Sequence, residues 1–497
     1  MSLAIVYTRA RQGVDAPLVT VETHLSGGLP RFAIVGLPEA AVKEARDRVR
    51  SAIINAHFSF PQSRITVNLA PADLPKDGGR FDLPIALGIL AASEQIDARA
   101  LAHYEFIGEL ALGGELRAVS GALPAAIHCA RADRALILPD SNAEEAALSR
   151  HSRVYPAGHL LQITAHLFDR QRLERQAPSA ACHRASYPDL RDVRGQLQAR
   201  RALEIAAAGS HNLLMYGPPG TGKTMLARRL PGILPPLSEE EALEVAAVWS
   251  VASAEPFDRR WQERPFRAPH HSASAPALVG GGSCPSPGEI SLAHCGVLFL
   301  DELPEYPRQV LEVLREPLET GEITVSRARH KVHFPARFQL IAAMNPCPCG
   351  YFGDSARSCR CSPDQRRRYR DRISGPLLDR IDMHVPMPPL KRGELTGEDE
   401  GESSSAVRAR VAAARARRQA RGGGEATAAV QRQAQYALHR PDQRFLEDAL
   451  QQLQLSARAY QRILKVARTI ADLDAQEHIQ RTHLAEAIGL RGLDRPG

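Results

Sequence analysis

Apolar and polar residues alternate along several short stretches within the first 170 positions of the chain. Ile65, Val67 and Leu69 occupy every second position of one such stretch, so the pattern predicts a strand that buries one face. The stretch 40–53 has the pattern of a helix. Because β-like and helical stretches alternate, we expect residues 1–170 to form an α/β domain.

Further along the chain, changes in the pattern mark predicted boundaries. The predicted segments are a polar, arginine-rich linker at 171–190, a core at 191–390, a basic linker or insert at 391–440 and a helical segment at 441–497. In the last segment Ile463, Val466 and Ile470 recur at helical spacing. The arginine-rich middle of the insert is predicted to be a helix with a solvated face.

Composition limits the class of protein without identifying it. A chain of 497 residues is long enough for two or three domains, and 44% apolar with 24% charged residues is ordinary for a soluble protein. No apolar run approaches the roughly 20 residues of a membrane span, and the N-terminal residues lack the apolar core of a signal peptide. We therefore expect a cytoplasmic protein without membrane contact. The net charge of +7 permits nucleic acid as a partner but does not establish it.

The stretch LLMYGPPGTGKTMLARRL, residues 213–230, contains the pattern G-x-x-x-x-G-K-[ST] between an apolar strand and a helix. Glycines let such a loop wrap around phosphates, whose charge meets the N–H groups of the loop and of the helix N-terminus. We expect Lys223 to reach the β- and γ-phosphates of ATP and Thr224 to hold Mg²⁺. The predicted nucleotide contacts are Gly217, Pro218, Pro219, Gly220, Thr221, Gly222, Lys223, Thr224 and Met225.

Two apolar strands further along end in polar residues that suit the same chemistry. GVLFLDE, residues 296–302, ends in Asp301 and Glu302; we expect Asp301 to hold Mg²⁺ and Glu302 to polarise the attacking water. FQLIAAMN, residues 338–345, ends in Asn345, which could orient that water or simply end the strand. The three motifs together predict an ATPase.

These motifs resemble those of an AAA+ ATPase in their order of phosphate loop, Asp-Glu strand, strand-end asparagine and later arginine. FRAPHHSASAPALVGGG and PGEISLAHCGVLFLDELPEY resemble the magnesium-chelatase-like branch. AAMNPCPCGYFGD and RISGPLLDRID resemble the ComM/YifB family of bacterial competence and recombination ATPases, over nearly the whole chain. The resemblance implies an α/β fold: an AAA+ αβα P-loop core with a C-terminal helical lid, preceded by a Lon-protease-like (S5-like) α/β domain.

The same resemblance implies a ring of six subunits. Arg380, in LLDRID, would be the arginine finger that stabilises charge in the neighbouring subunit's site. A sensor-2 arginine is expected in the C-terminal helices; Arg458 is favoured, with Arg462 and Arg468 as rivals. The residues that match the family's segment beside the adenine are Val193, Gly195 and Gln196.

Two stretches are candidates for contact with DNA. Residues 266–290 match a family loop that faces the central pore, where His270 and His271 could touch a strand; a structural loop near the subunit interface is the alternative. In GEITVSRARHKVHFPARF, residues 321–338, apolar residues flank a basic centre, which predicts a hairpin. The basic residues near its tip are Arg327, Arg329, His330 and Lys331. They would contact phosphates without reading sequence, although an exposed hairpin with no ligand has the same pattern.

Half of the cysteines form a cluster, which consists of Cys347, Cys349, Cys359 and Cys361. Four thiolates can close a tetrahedral zinc site, but the C-x-C spacing departs from the commoner C-x-x-C. A loop of reduced cysteines without metal is therefore the alternative. The other cysteines stand alone and are predicted to be small buried residues: Cys129, Cys182, Cys284 and Cys295.

The first domain resembles the Lon-type protease fold over APADLPKDGGRFDLPIALGIL and FIGELALGGELRAVSGALPAAI. Peptidase activity in that fold needs a serine and a lysine. DGGRFDLP has no serine, and Pro124 and its neighbours stand where the fold needs lysine, while Ser120 has no lysine nearby in sequence. We expect a protease-like fold without peptidase activity.

The resulting prediction is a homohexameric motor that hydrolyses ATP with Mg²⁺ and translocates on single-stranded or branched DNA. The family resemblance implies helicase or branch-migration work during the integration of incoming DNA. A magnesium-chelatase motor subunit, which drives metal into a porphyrin, is the main alternative. An ATP-dependent protease and a non-catalytic DNA-binding scaffold are the others, and the intact ATP motifs weigh against the scaffold.

Overall fold

The computed structural model describes residues 2–36, 40–74, 76, 78–178, 186–252, 261–282, 285–326, 331–354, 357–390, 401–421, 436–453 and 455–494. Five residues with predictions attached to them lie outside these ranges: Cys182, Cys284, Arg327, Arg329 and His330. Within the described ranges, the main layers of the protein are built on two separate sheets, one mixed and one wholly parallel.

The first part of the chain forms a seven-stranded mixed sheet in the order β3-β4-β2-β1-β5-β8-β9. Its strands, with the small pair β6 and β7, are β1 Ser2–Arg9, β2 Leu18–Ser26, β3 Arg31–Val35, β4 Arg64–Ala70, β5 Tyr104–Phe106, β6 Glu109–Leu110, β7 Leu116–Arg117, β8 Ala135–Pro139 and β9 Val154–Ala157. Its helices are α1 Ala40–Asn55, α2 Asp82–Ala92, α3 Ala122–Arg131, α4 Ala143–Ala146 and α5 Leu160–Leu167. The predicted strand is confirmed, because β4 buries Ile65, Val67 and Leu69 on one face.

The second part forms a five-stranded sheet in the order β11-β14-β17-β10-β18, and every pair in it is parallel. The strands of this part are β10 Leu213–Tyr216, β11 Phe266–Arg267, β12 Gly280–Gly281, β13 Ser286–Pro287, β14 Val297–Leu300, β15 Glu322–Ser326, β16 Lys331–Pro335, β17 Gln339–Met344 and β18 Met383–Pro386. Its helices are α6 Leu197–Gly209, α7 Lys223–Ala227, α8 Leu230–Ile233, α9 Glu239–Ala252, α10 Ala275–Val279, α11 Glu289–Leu292, α12 Arg308–Glu312, α13 Pro317–Thr320, α14 Pro363–Arg370 and α15 Gly375–Leu378. The central strands β14, β17 and β10 are buried along most of their length, as fully covered parallel strands require.

The C-terminal part is helical: α16 Ser404–Ala420, α17 Arg440–Gln452, α18 Ala457–Leu473 and α19 Arg481–Gly489. The sequence reading treats 391–440 as a linker or insert, yet α16 packs against α6 and α18 and buries Val407, Val411 and Ala414. Its arginines also reach the core, since the Arg415 guanidinium donates to the Ala207 carbonyl at 2.6 Å. The predicted helix is present, but one face of it is packed rather than solvated.

The first domain is joined to the second through α3 and α9. The Gly121 backbone N–H donates to the Ser250 carbonyl at 2.8 Å, and Leu123 lies in a small apolar cluster with Val245 and Trp261. A second contact joins the loop between β1 and β2 to the β15–β16 hairpin, because a Cβ added at Gly13 would meet Val332 Cγ1 at 2.6 Å. The two sheets are therefore held together at two places. None of the described helices combines the length and the apolar character needed to cross a bilayer.

Candidate ATP site

Three neighbouring parallel strands bring the predicted ATP-binding residues to one edge of the five-stranded sheet. The strands β10, β14 and β17 all end at this edge because they run parallel and pair with one another. Gly217 follows β10, Asp301 follows β14 and Asn345 follows β17. Ligands of open α/β sheets bind outside the carboxyl ends of the strands, and this edge is the corresponding place in the five-stranded sheet.

The loop between β10 and α7 depends on its glycines. Gly220 and Gly222 have φ angles of 81° and 89°, in the left-handed region that glycine enters without steric cost. A Cβ at Gly217 would overlap the Met387 carbonyl oxygen, so only glycine fits where the loop leaves the sheet. The loop thus curls tightly at the N-terminus of α7, as phosphate binding requires.

Lys223 lies inside this loop and is nearly buried. Its ammonium donates to the carbonyl oxygens of Gly217 and Pro218 at 2.7 and 2.9 Å, and to Asn345 Oδ1 at 3.3 Å. Burial lowers the pKa of Lys223, and the negative charges of Asp301 and Glu302 oppose that shift. A partly desolvated ammonium held by backbone carbonyls is ready to exchange them for phosphate oxygens, whose charge-assisted hydrogen bonds are stronger.

Oxygen ligands suited to Mg²⁺ meet beside the lysine. Thr224 Oγ1 donates to Asp301 Oδ2 at 2.6 Å, and the Glu302 backbone N–H donates to Asp301 Oδ1 at 3.0 Å. A hydroxyl and a carboxylate at this distance provide the hard oxygen donors that Mg²⁺ takes alongside phosphate and water. The residues present therefore fit a magnesium ion delivered with ATP.

Glu302 has an unusual backbone and a partner that the sequence reading did not assign to it. Its φ of 51° is rare for a residue that carries a Cβ, and such conformations concentrate at functional sites. Its carboxylate lies 3.1 Å from His271 Nδ1, and both side chains are partly exposed. The sequence predicts that His270 and His271 contact DNA, whereas the structure places His271 beside the predicted catalytic carboxylate.

The residues expected beside the adenine lie next to the phosphate loop. The Gln196 side-chain amide donates to the Pro388 carbonyl at 2.7 Å and to the Thr221 carbonyl at 3.4 Å. Val193 is buried, and Met225 is partly exposed at the start of α7. Gln196 therefore contacts the phosphate loop directly, through the Thr221 carbonyl.

Arg380 lies at the opposite edge of the same sheet. Its carbonyl accepts a hydrogen bond from Asn212, which directly precedes β10, at 3.0 Å. At about 3.3 Å per residue, the four residues of β10 separate this edge from the phosphate loop by roughly 13 Å. The Arg380 guanidinium pairs with Glu319 and is mostly covered. Arg380 is thus separated from the phosphate loop of its own chain.

The candidates for sensor 2 lie at that opposite edge as well. Arg458 Nη1 contacts Asp379 Oδ2 at 3.3 Å, and Arg462 pairs with Asp382. Arg468 is buried within the lid and contacts Asp472 at 3.0 Å, which gives it a structural role. Arg458 remains the predicted sensor 2, and its contact with Asp379 places it near Arg380 rather than beside the phosphate loop.

The predicted basic hairpin is present as an antiparallel pair, β15 with β16. Ser326 pairs with Lys331 at the end of the ladder, while Val325 and Val332 face the core. Lys331 is exposed on the outer face. Among the described residues, the hairpin therefore combines an apolar base packed into the core with the exposed Lys331.

The four clustered cysteines lie together. Their sulfur atoms are all within 4.8 Å of one another, directly after Asn345 and Pro346. Among the isolated cysteines, Cys129 is buried as predicted and Cys295 is partly buried.

Three contacts of the predicted site residues could not have been identified from a pattern in the sequence. His271 reaches Glu302 across 31 residues, Glu319 reaches Arg380 across 61, and Met387 closes over Gly217. None of these pairs has a characteristic spacing, so only the folded chain identifies them.

Comparison with known proteins identifies relatives of every part of the chain. The family models that match are "Magnesium chelatase, subunit ChlI" at residues 189–395, "Subunit ChlI of Mg-chelatase" at 21–142 and "Magnesium chelatase, subunit ChlI C-terminal" at 401–491. The uncharacterized protein YifB of Salmonella typhimurium is 55% identical over 100% of this chain and 98% of its own length. Competence protein ComM of Haemophilus influenzae is 54% identical over the same shares. The magnesium-chelatase 38 kDa subunit of Cereibacter sphaeroides is 27% identical over 31% of this chain and 51% of its own.

The contact between His271 and Glu302 predicts that His271→Ala impairs hydrolysis more than DNA binding. Without the imidazole, the partly exposed carboxylate loses a partner that fixes its position, so we expect kcat to fall about tenfold with unchanged nucleotide affinity. Steady-state ATPase kinetics measure kcat, and a titration with a fluorescent nucleotide measures the nucleotide affinity. His270→Ala is the comparison, because His270 contacts Ser272 and the His271 ring, whereas His271 contacts Glu302. Weaker DNA binding at an unchanged ATPase rate would favour the original DNA assignment.

Proposed function

The chain belongs to the ComM/YifB family of magnesium-chelatase-like proteins, and from this premise we propose that it is a ring-forming ATPase that moves along DNA. The proposal rests on one observation: the residues of the candidate ATP site lie at the two opposite ends of the same parallel strands. The phosphate loop follows the end of β10, while Arg380 lies where β10 begins. A second copy that places its Arg380 edge against this phosphate loop completes the site, and repetition of that contact closes a ring.

The chemistry at the completed site is phosphoryl transfer to water. Lys223 and the loop N–H groups bind the phosphates. Thr224 with Asp301 would hold Mg²⁺, which would neutralise charge on the phosphate oxygens. Glu302 accepts a proton from the attacking water and Asn345 orients it. Arg380 of the neighbouring subunit stabilises the charge that develops on the transferred group, for which it must first release Glu319.

DNA is the polymer that we propose the ring moves. A relative that is 54% identical over the full chain is named a competence protein, which supports a role in the uptake or recombination of DNA. The β15–β16 hairpin presents Lys331 from a base packed into the core, and ring symmetry repeats that cation in every subunit. Contacts of this kind bind phosphates of any sequence, as a translocating helicase or branch-migration motor needs. A cytoplasmic location remains a prediction.

For the first domain we propose a protease-like fold without peptidase activity. The Ser120 hydroxyl accepts a hydrogen bond from the Arg11 guanidinium at 3.0 Å, and Arg80 donates to the Ser120 carbonyl at 3.3 Å. A guanidinium stays protonated at any ordinary pH and therefore cannot remove the proton of a serine nucleophile. The contacts of this domain with α9 and with the hairpin favour a role in assembly of the ring instead.

The divided site predicts that two inactive variants restore each other. Arg380→Ala keeps its phosphate loop but offers no finger, and we expect its ATPase rate to fall by roughly 10³-fold or more. Lys223→Ala keeps Arg380 but cannot bind phosphate productively. An equimolar mixture forms interfaces with one intact loop and one intact arginine, so its ATPase rate should exceed the sum of the separate rates.

The control for this mixture is Arg380→Ala combined with the double variant Lys223→Ala/Arg380→Ala, in which no interface contains an arginine. Recovery in both mixtures, or a monomer that hydrolyses ATP at full rate in analytical ultracentrifugation, would contradict the proposed ring.

The hairpin predicts that DNA stimulates hydrolysis and that Lys331 contributes to the effect. We expect single-stranded or branched DNA to raise the ATPase rate, and Lys331→Ala to weaken DNA binding and lower the salt slope of log K by about 1 for each Lys331 in the ring that contacts a phosphate. Lys465→Ala, an exposed lysine on α18, is the matched control. An ATPase that ignores DNA would move the assignment toward the alternative, a chelatase motor subunit that acts on a porphyrin through partners.

A further inference from the structure

The cysteine cluster has the dimensions of a tetrahedral metal site. The Sγ atoms of Cys347 and Cys349 are 3.4 Å apart, and each lies 3.6–3.7 Å from Sγ of Cys359. Zinc bonded tetrahedrally to sulfur at 2.3 Å places its ligands about 3.8 Å apart. A disulfide would need the sulfurs to approach about 2.05 Å. The arrangement therefore fits a shared ion better than a covalent pair.

Backbone N–H groups point at the sulfur atoms of Cys349 and Cys359, two of the four in the cluster. The backbone N–H groups of Tyr351 and Arg360 donate to Cys349 Sγ, and that of Cys361 lies 3.4 Å from Cys359 Sγ. Donors of this kind orient metal ligands and stabilise their negative charge. Zinc with four thiolates carries net negative charge, and Arg360, which directly precedes Cys361, brings a compensating cation.

The loop that carries these cysteines rests on the phosphate loop. Gly350 has a φ of 84°, and a Cβ added to it would stand 3.0 Å from Pro219 Cδ. Two residues before Cys347, Asn345 contacts the Lys223 ammonium at 3.3 Å. The cluster is thus connected to the ATP site at two points, through Pro219 and through Asn345.

We propose that the four cysteines, Cys347, Cys349, Cys359 and Cys361, bind one zinc ion and that the zinc-bound loop supports the phosphate loop from outside. The ion replaces the apolar core that so short an irregular segment lacks, in the way that structural zinc stabilises small folds. The zinc does not touch the nucleotide. It fixes the loop that holds Asn345 and Pro219 in place. The proposal extends the ATPase assignment, but the metal site itself does not depend on it.

Metal content tests the zinc site directly. Full-length protein purified under reducing conditions without added zinc should contain about one zinc per chain by plasma mass spectrometry. Cys359→Ser should lose most of it. Cys295→Ser tests the second group that could hold a metal, Glu244, His294 and Cys295, and it should leave the zinc content unchanged. Absence of zinc from the reduced wild type, or loss of zinc in the Cys295 variant alone, would overturn the site.

Cobalt exchange provides a second readout that needs no variant to fold. Wild-type protein refilled with Co²⁺ should show the intense visible bands and sulfur-to-metal charge transfer of tetrahedral thiolate coordination. A weak spectrum typical of octahedral oxygen ligands would mean that the cysteines do not bind the metal.

Two glycines with similar backbone conformations test whether the cysteine loop supports the phosphate loop. Gly350 and Gly353 both have positive φ, but Gly353 has open space where Gly350 meets Pro219. We expect Gly350→Ala to retain zinc and to bind a fluorescent ATP analogue roughly tenfold more weakly, since small displacements of a positioning loop have large effects. Gly353→Ala, with the same strain, should bind it normally. Equal nucleotide affinity in the two zinc-loaded variants would refute the support while leaving the zinc site standing.

Discussion

The ATP site rests on the hydrogen bonding of three parallel strands, β10, β14 and β17. Because all three run in the same direction and pair directly, the residues that follow them are forced to one edge of the sheet. Two side-chain contacts then lock the three ends together: Lys223 with Asn345, and Thr224 with Asp301. A slip in the pairing of β17 would remove Asn345 from the lysine and would shift the cysteine loop that follows it. The sheet register therefore determines the site more than any single motif does.

The same sheet also separates Arg380 from the phosphate loop of its own chain. Parallel strands have two different edges, and residues at the two edges are separated by the length of the strand. The chain places its phosphate-binding groups at one edge and Arg380, with Arg458 nearby, at the other. Under the proposed function, the two groups meet only between copies stacked head to tail. Hydrolysis would then depend on the relative position of neighbouring subunits.

Local patterns in the sequence were sufficient for the elements that contain whole motifs. The phosphate loop between β10 and α7, the alternation in β4 and the β15–β16 hairpin were all predictable, because the residues that determine them are adjacent in the chain. Contacts between distant segments were not, as His271 with Glu302 shows. The α16 helix is an intermediate case. Val407, Val411 and Ala414 have helical spacing, but the surrounding arginines suggested a solvated face, and only the folded chain shows that Arg415 reaches a backbone carbonyl.

The β15–β16 hairpin contacts both domains and so connects the first domain to the second. Val332 and Phe334 face the core of the second domain, and Gly13, in the loop between β1 and β2, packs against the same two side chains. The base of the hairpin therefore contacts both domains, and the exposed Lys331 begins its second strand. A displacement of the first domain must move this base or break its packing, since close-packed interiors transmit strain rather than absorb it. The first domain can thus influence the second through packing alone, by setting the position from which the hairpin presents Lys331.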